Sequence, residues 1–225
     1  MEKMKRTVTC GQLKKADEGR EVILNGWVHR NRDHGGIQFI SLRDRYGITQ
    51  VVVDQDAREE LKEIAKSLKN EFCIAVAGAV RNRPDSMVNK EMATGEIEVV
   101  GSEIIVLNTC EVLPFMIEDA ADAREDIRLK YRFLDLRTPG MQNNIALRHK
   151  ATWACREFFI NEGFNEIETP TLIRATPEGA RDLLVPARRS PGKGVGLPQA
   201  PQLGQRVFVG WGVGECVQVA RCVRG

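Results

Sequence analysis

Four arginines, Arg30, Arg32, Arg43 and Arg45, flank Trp27 and Phe39 in the stretch 27–45. Guanidinium groups can hold phosphates while an exposed ring stacks beneath a base, worth about 1–3 kcal/mol per stacked base. Gln50 follows, and its amide offers both a donor and an acceptor to a base edge. The same residues also fit a solvated polar face with Trp27 and Phe39 turned into a core. A second group is TPEGARD, residues 176–182. Glu178 there could pair with an ammonium and Asp182 could fix a neighbouring cation, which suits a small zwitterion. On spacing alone, a charged surface loop is the better reading of it. A third, GWGVG at 210–214, is not a phosphate-binding Walker loop, because no Gly-Lys-Ser/Thr follows. It is assigned no ligand.

Other chemistries have little material. The six cysteines, Cys10, Cys73, Cys110, Cys155, Cys216 and Cys222, form no C-x-x-C pair, and the three histidines do not accompany them at ligand spacing. They read as reduced, small buried residues, and no metal site is expected. The formal net charge over 225 residues is only +2. Any nucleic-acid contact must therefore come from a local patch rather than a global field. There is no apolar run of bilayer length and no signal-peptide core at the N-terminus, so a soluble cytoplasmic protein is expected.

The elements that must position these groups follow from periodicity. Residues 20–30, 37–43 and 48–54 read as successive β-strands with turn-like breaks between them. Ala57–Leu68 places Leu61, Ile64, Ala65 and Leu68 at helical spacing. Residues 72–81 and 96–107 supply two more strands around a polar hairpin, 82–95. Three strands, a helix, then two strands is the order of an OB-fold barrel, which binds oligonucleotides on the face that carries Phe39. A small antiparallel sandwich is the competing topology. Gly26, Gly78 and Gly101 fall inside strands, where glycine marks bends. A charged stretch at 108–140 reads as a short helical hinge. From Asn144 a helix runs to Asn161, with Leu147, Ala151, Ala154, Cys155, Phe158 and Phe159 on one face and Gly163 as its stop. The expected organisation is 1–110 for the barrel, 111–140 for the hinge and 141–225 for the beginning of a second domain, α+β overall.

Taken together, CGQL (10–13), GWVHRNRDHGG (26–36), LRDRYGITQVV (42–52), NEFCI (70–74), MATGEIEV (92–99), RLKYRFLDLR (128–137), ETPTLIRATPEGARD (168–182) and LPQAPQL (197–203) through ARCVRG (220–225) resemble one family. It is the bacterial aspartyl-tRNA synthetases, class II aminoacyl-tRNA synthetases, and the resemblance covers nearly the whole chain. It implies an anticodon-binding OB barrel with Arg32, Phe39, Gln50 and Glu96 as tRNA contacts. It implies an antiparallel α/β catalytic domain after it. Pro170 matches a motif 1 residue at the family's homodimer interface. Glu178 and Gln202 match aspartate-binding positions, and Arg224 matches the motif 2 arginine that holds the ATP α-phosphate in catalysis. The implied partners are tRNA, L-aspartate and ATP, with Mg2+ for the full-length enzyme. His34, followed by Gly35, resembles family members that charge both aspartate and asparagine tRNAs.

The sequence also departs from the family. Gly225 stands where motif 2 has an aspartate, and motif 3 is absent. Gln205 replaces an aspartate-binding lysine, Ala200 replaces a serine, and GWGVGECVQ replaces AGFDRYFQ. The expectation is therefore aspartate–tRNA ligase by family, with anticodon binding retained and little adenylate formation by this polypeptide. A non-catalytic tRNA-binding paralogue and a non-functional fragment are the alternatives.

Overall fold

The β-rich first half closes on itself in the computed structural model, which describes residues 4–118, 120, 122–174 and 183–223. The strands are β1 (Glu21–His34), β2 (Ile37–Asp44), β3 (Gly47–Val53), β4 (Cys73–Asn82) and β5 (Ile97–Asn108), in the closed order β1-β2-β3-β5-β4. All neighbours are antiparallel except β3 and β5, which run parallel through Val51↔Val99 and Val52↔Val100. The order expected for an OB fold is the order observed, and closure removes free sheet edges. Alternation puts Val22, Leu24, Val28, Ile40, Leu42, Val51 and Val53 inside.

Helix α1 (Glu59–Ser67) closes one end of the barrel. Leu61, Ala65 and Leu68 join the core cluster and Ile64 packs against it, as the helical spacing predicts. Asn31 of β1 donates to the carbonyls of Ala65 and Leu68 at 2.8 and 3.2 Å, adding a side-chain donor at the helix end.

Strand β1 runs four residues beyond the expected 30. The polar run Asn31–His34 reads as loop by composition, yet it pairs with Ile37–Ile40 across a two-residue turn. That turn is Gly35–Gly36, both with positive φ (62° and 84°), the geometry that hairpins of this length favour. A β-bulge between Val28 and Arg30 leaves His29 as the extra residue. The bulge switches the alternation, so Asn31 turns towards the interior while Arg30, Arg32 and His34 share the outer face.

The chain separates into two compact units, Met1–Thr138 and Pro139–Gly225. The first unit includes the hinge, with α2 (Glu125–Lys130) and α3 (Arg132–Asp135). Asp135 is fully buried there and accepts from Arg128 at 2.9 Å and from Arg132.

In the second unit, α4 (Pro139–Asn161) begins five residues before Asn144, with Pro139 as its first residue, a position proline favours. It ends in Gly163, φ 90°, as expected. No residue of α4 is buried. Trp153 and Ile160, both exposed, lie nearly opposite the expected apolar face at about 100° per residue, while Ile145, also exposed, lies beside the Phe159 edge of it. β6 (Asn165–Glu166) pairs in parallel with β9 (Cys216–Val217), and β7 (Leu184–Pro186) pairs antiparallel with β8 (Gly194–Gly196). α5 (Gln202–Gly210) precedes β9. Among the described residues, no helix is long and apolar enough to cross a membrane.

Candidate nucleic-acid interface

The outer face of β1, β2 and β3 forms a small lattice of side chains. Cross-strand register sets Trp27, Arg43 and Ile48 in one row, Arg30, Ser41 and Gln50 in the next, and Arg32, Phe39 and Val52 in the third. His34 and Ile37 complete it at the hairpin tip. Phe39 is half-buried and faces outward, so its ring is not part of the interior cluster. Arg30 and Arg32 are exposed beside it, and among the described residues Arg32 makes no ion pair. An aromatic platform, two cations and an amide thus meet on one surface, the arrangement that single-stranded nucleic acid requires.

The Gln50 amide is oriented by a neighbour that sequence reading misses. Its Nε2 donates to Glu98 Oε2 at 3.1 Å. Glu98 is in turn held by Arg81, whose Nη2 and Nε lie 2.7 and 3.0 Å from Oε1, with Arg83 at 3.8 Å. Gln50 therefore keeps its carbonyl oxygen and one N–H free. Glu96, two residues earlier, is exposed and precedes β5; its backbone carbonyl accepts from the Arg83 amide at 2.9 Å. The structure brings Arg32, Phe39 and Gln50 together on one face and gives the Gln50 amide to Glu98, not to Glu96. Period-two alternation in EIEVV relates Glu96 and Glu98. Only the parallel register of β3 with β5 shows which of them reaches Gln50.

The upper row of the face is already engaged. Arg137 lies over the Trp27 ring, 4.4 Å from its centroid, so this indole is not an open platform. Arg43 donates to both carboxylate oxygens of Glu71, at 2.7 and 2.9 Å. Arg45 lies over Tyr46, 5.1 Å from the ring centroid, at the β2–β3 turn. The candidate face is thus narrower than the sequence suggests and centres on Phe39.

His29, the bulge residue, sits between Arg43 and Glu118 at 3.0 Å on each side, through Nδ1 and Nε2 respectively. Because a guanidinium only donates, Nδ1 must accept, which leaves the proton on Nε2 to donate to Glu118. Burial, aided by Arg43 and Arg30, holds the His29 pKa below the ordinary 6.5 against the opposing pull of Glu118. The unfolded chain then takes up more protons than the folded one as pH falls below 6.5, and the folded state loses stability from there down to the folded pKa. Urea denaturation at pH 7 and pH 5.5 should show a larger loss in the parent than in His29→Gln. Equal losses would remove His29 as the cause.

The other residues singled out by type and motif fall elsewhere. His34 is exposed at the hairpin tip, where Gln55 donates to the Gly35 carbonyl at 2.6 Å. Pro170 is exposed. Gln202 opens α5 and, with Gln205, Arg206 and Glu215, lines a 460 Å³ cavity within the second unit. Glu178 and Asp182, with the rest of 175–182, and Arg224 lie outside the described residues. Of the cysteines, Cys10 is fully buried, which pushes its thiol pKa far up, while Cys155 and Cys222 are exposed.

Two protein families match the chain in succession. Residues 22–107 match the OB-fold nucleic acid binding domain, and residues 124–225 match the tRNA synthetases class II (D, K and N). The chain is 62% identical over 224 residues to an aspartate–tRNA(Asp/Asn) ligase of Treponema denticola, covering 100% of this chain and 38% of that protein. It is 49% identical over 220 residues to the enzyme of the same name from Aquifex aeolicus, covering 98% of this chain and 36% of that protein. Among solved structures, asparaginyl-tRNA synthetase from Pyrococcus horikoshii complexed with asparaginyl-adenylate is similar with a TM-score of 0.84 at 27% identity, over 98% of this chain and 49% of the other. The chain spans little more than a third of the length of these curated relatives.

Proposed function

We propose that this chain, whose residues 124–225 match the tRNA synthetases class II (D, K and N), reads a tRNA anticodon on behalf of an aspartate–tRNA ligase. The observation that carries the reading is Phe39 flanked by Arg30, Arg32 and Gln50 on one open strand face. An anticodon base stacks on the Phe39 ring, the two guanidiniums hold adjacent phosphates, and the Gln50 carbonyl accepts from a base edge. In this reading His34, exposed at the tip of the same face, senses the base that separates aspartate from asparagine tRNAs. Curated relatives bear the name tRNA(Asp/Asn) ligase, in keeping with a site that accepts both.

The ligase reaction joins aspartate to ATP and then to tRNA. The aspartate carboxylate attacks the α-phosphorus and pyrophosphate leaves, giving aspartyl-adenylate; a hydroxyl of the tRNA's terminal adenosine then takes the acyl group and AMP leaves. Such a reaction needs no protein nucleophile, only positioning and charge stabilisation. Glu178 would face the substrate ammonium, Gln202 the substrate's polar end, and Arg224 the α-phosphate. Magnesium supplies charge neutralisation on the ATP phosphates. Among the described residues no group of three His, Cys, Asp or Glu converges, so no step through this chain is assigned to that ion. Assembly as a homodimer through the Pro170 segment and operation in the cytoplasm complete the proposal.

The test is binding of a labelled anticodon stem-loop to this chain across a salt series. An aspartate anticodon loop should bind better than a loop of scrambled sequence. Two arginine–phosphate contacts predict a log–log salt slope of about −1.4 for single-stranded RNA. Equal affinity for the scrambled loop, or no salt dependence, would overturn anticodon reading by this face.

A further inference from the structure

Two arginines from distant parts of the first unit meet one buried carboxylate. Glu71, just before β4, has a side chain only 3% exposed. Arg43 of β2 donates to both its oxygens, and Arg137, from the turn after α3, donates to Oε2 at 2.6 Å. Its backbone amide donates to the Val28 carbonyl at 2.7 Å, beside the His29 bulge. Glu71 is also the one non-glycine residue with positive φ (64°) among the described residues. A side chain held in that conformation persists only where its surroundings determine it, and such outliers cluster at functional positions.

The two arginines come from different structural parts. Arg43 belongs to the strand face, directly opposite Trp27. Arg137 belongs to the hinge and lies over that same Trp27. Among the described residues, none of 109–138 belongs to the barrel's core cluster, so the hinge is not anchored by sharing that core. Beside its buried apolar residues Ile117, Ala120 and Leu134, its polar grips are Arg137 on Glu71 and Trp27, and Glu118 on His29, with Arg30 4.0 Å away. Without the Glu71 charge, the Arg43 and Arg137 guanidiniums would repel each other in a site largely closed to water.

We propose that Glu71 is a positioning residue that clasps the end of the hinge to the RNA-reading face. RNA held at Phe39 and the point where the chain leaves the first unit then keep one geometry. The proposal rests on the anticodon reading of that face. Glu71 itself touches no RNA; it acts through Arg43, Trp27 and Arg137, one row above the Arg30–Ser41–Gln50 row.

The experiment uses the 225-residue chain with Trp153→Phe and Trp211→Phe, which leaves Trp27 as the only tryptophan. Glu71→Gln and Arg137→Met are made in that background, with Arg137→Lys as the conservative variant. In Glu71→Gln, amides of 131–137 should exchange about tenfold faster or more, and Trp27 emission should shift as Arg137 leaves the ring. Anticodon hairpin affinity should stay within about twofold, because Phe39 and its flanking groups are unchanged. Hairpin binding should slow exchange at 131–137 in the parent and not in Glu71→Gln. Arg137→Lys should restore part of both signals, which a purely steric role would not produce. If Glu71→Gln fails to fold, Arg137→Met decides the matter, since Arg137 lies outside the barrel. Normal hairpin binding with unchanged hinge exchange and unchanged Trp27 emission overturns the clasp alone. No hairpin binding by the parent overturns the RNA reading and the proposal with it.

Discussion

Replacing Phe39 by alanine weakens binding of the aspartate anticodon hairpin by about 5- to 150-fold, the equivalent of one lost base–aromatic stack at about 1–3 kcal/mol. The loss should be nearly independent of salt, because the ring carries no charge. Arg32→Ala should instead reduce the salt slope by about 0.7 and weaken scrambled and aspartate loops alike. The barrel should remain folded in Phe39→Ala. The ring stands on the outer face opposite Arg32 and Val52 and contributes nothing to the interior cluster. Phe39→Trp should retain affinity, whereas Phe39→Leu keeps apolar area without a stacking plane and should fall between. Hairpin titration by fluorescence anisotropy, alongside thermal melting of each variant, separates these effects. Undiminished affinity in Phe39→Ala would move the stacking site elsewhere. A collapse in melting temperature would make Phe39 a packing residue.

How far the site can be read from the sequence depends on the kind of contact involved. Local patterns carry well. The alternation in β2 and β3 sets Phe39 and Gln50 on one face, and Leu61 and Ala65 mark the buried stripe of α1, with Leu68 buried just after it. Contacts set by register between distant strands do not carry. Nothing near Gln50 in sequence reveals that Glu98 takes its amide, because the parallel pairing of β3 with β5 joins residues nearly fifty positions apart. The His29 bulge is equally hidden. One extra residue moves Arg30 from the inward to the outward series, and unbroken alternation from Val28 would bury it. Trp27 and Arg43 look available for RNA because their partners, Arg137 and Glu71, lie 110 and 28 positions away. The polar run Asn31–His34 has the composition of a loop, although one of its members turns inward to cap α1 and two turn outward beside Phe39 and Ile37.

Glycines inside strands are legible as bends, but not which of them the barrel depends on. Gly78→Ala should lower barrel stability by about 3 kcal/mol or more, the upper end for overpacking, while Gly101→Ala should change it by less than about 1 kcal/mol. The difference is one of clearance. A Cβ on Gly78 would lie 2.1 Å from the Val100 carbonyl oxygen and 2.9 Å from its carbon. Those are backbone atoms of the adjacent strand, so no side-chain rotation relieves the clash. Gly78 also sits where the β4–β5 register shifts after Ala77, paired with Gly101 on one side and Val22 of β1 on the other. Separating β4 from β5 there would disturb both pairings that close the barrel. A Cβ on Gly101 meets the Val51 side chain at 3.4 Å and the Val52 carbonyl at 3.6 Å, ordinary contact distances. Urea denaturation followed by Trp27 fluorescence, with the other two tryptophans replaced by phenylalanine, reads the barrel and the Arg137 contact made on it. The midpoint should fall sharply in Gly78→Ala with the slope unchanged. Hairpin affinity should fall in parallel under mildly denaturing conditions, since the lattice around Phe39 exists only while β1, β2 and β3 hold their register. Equal midpoints for the two variants would show that β4 and β5 can part at Gly78 without opening the barrel.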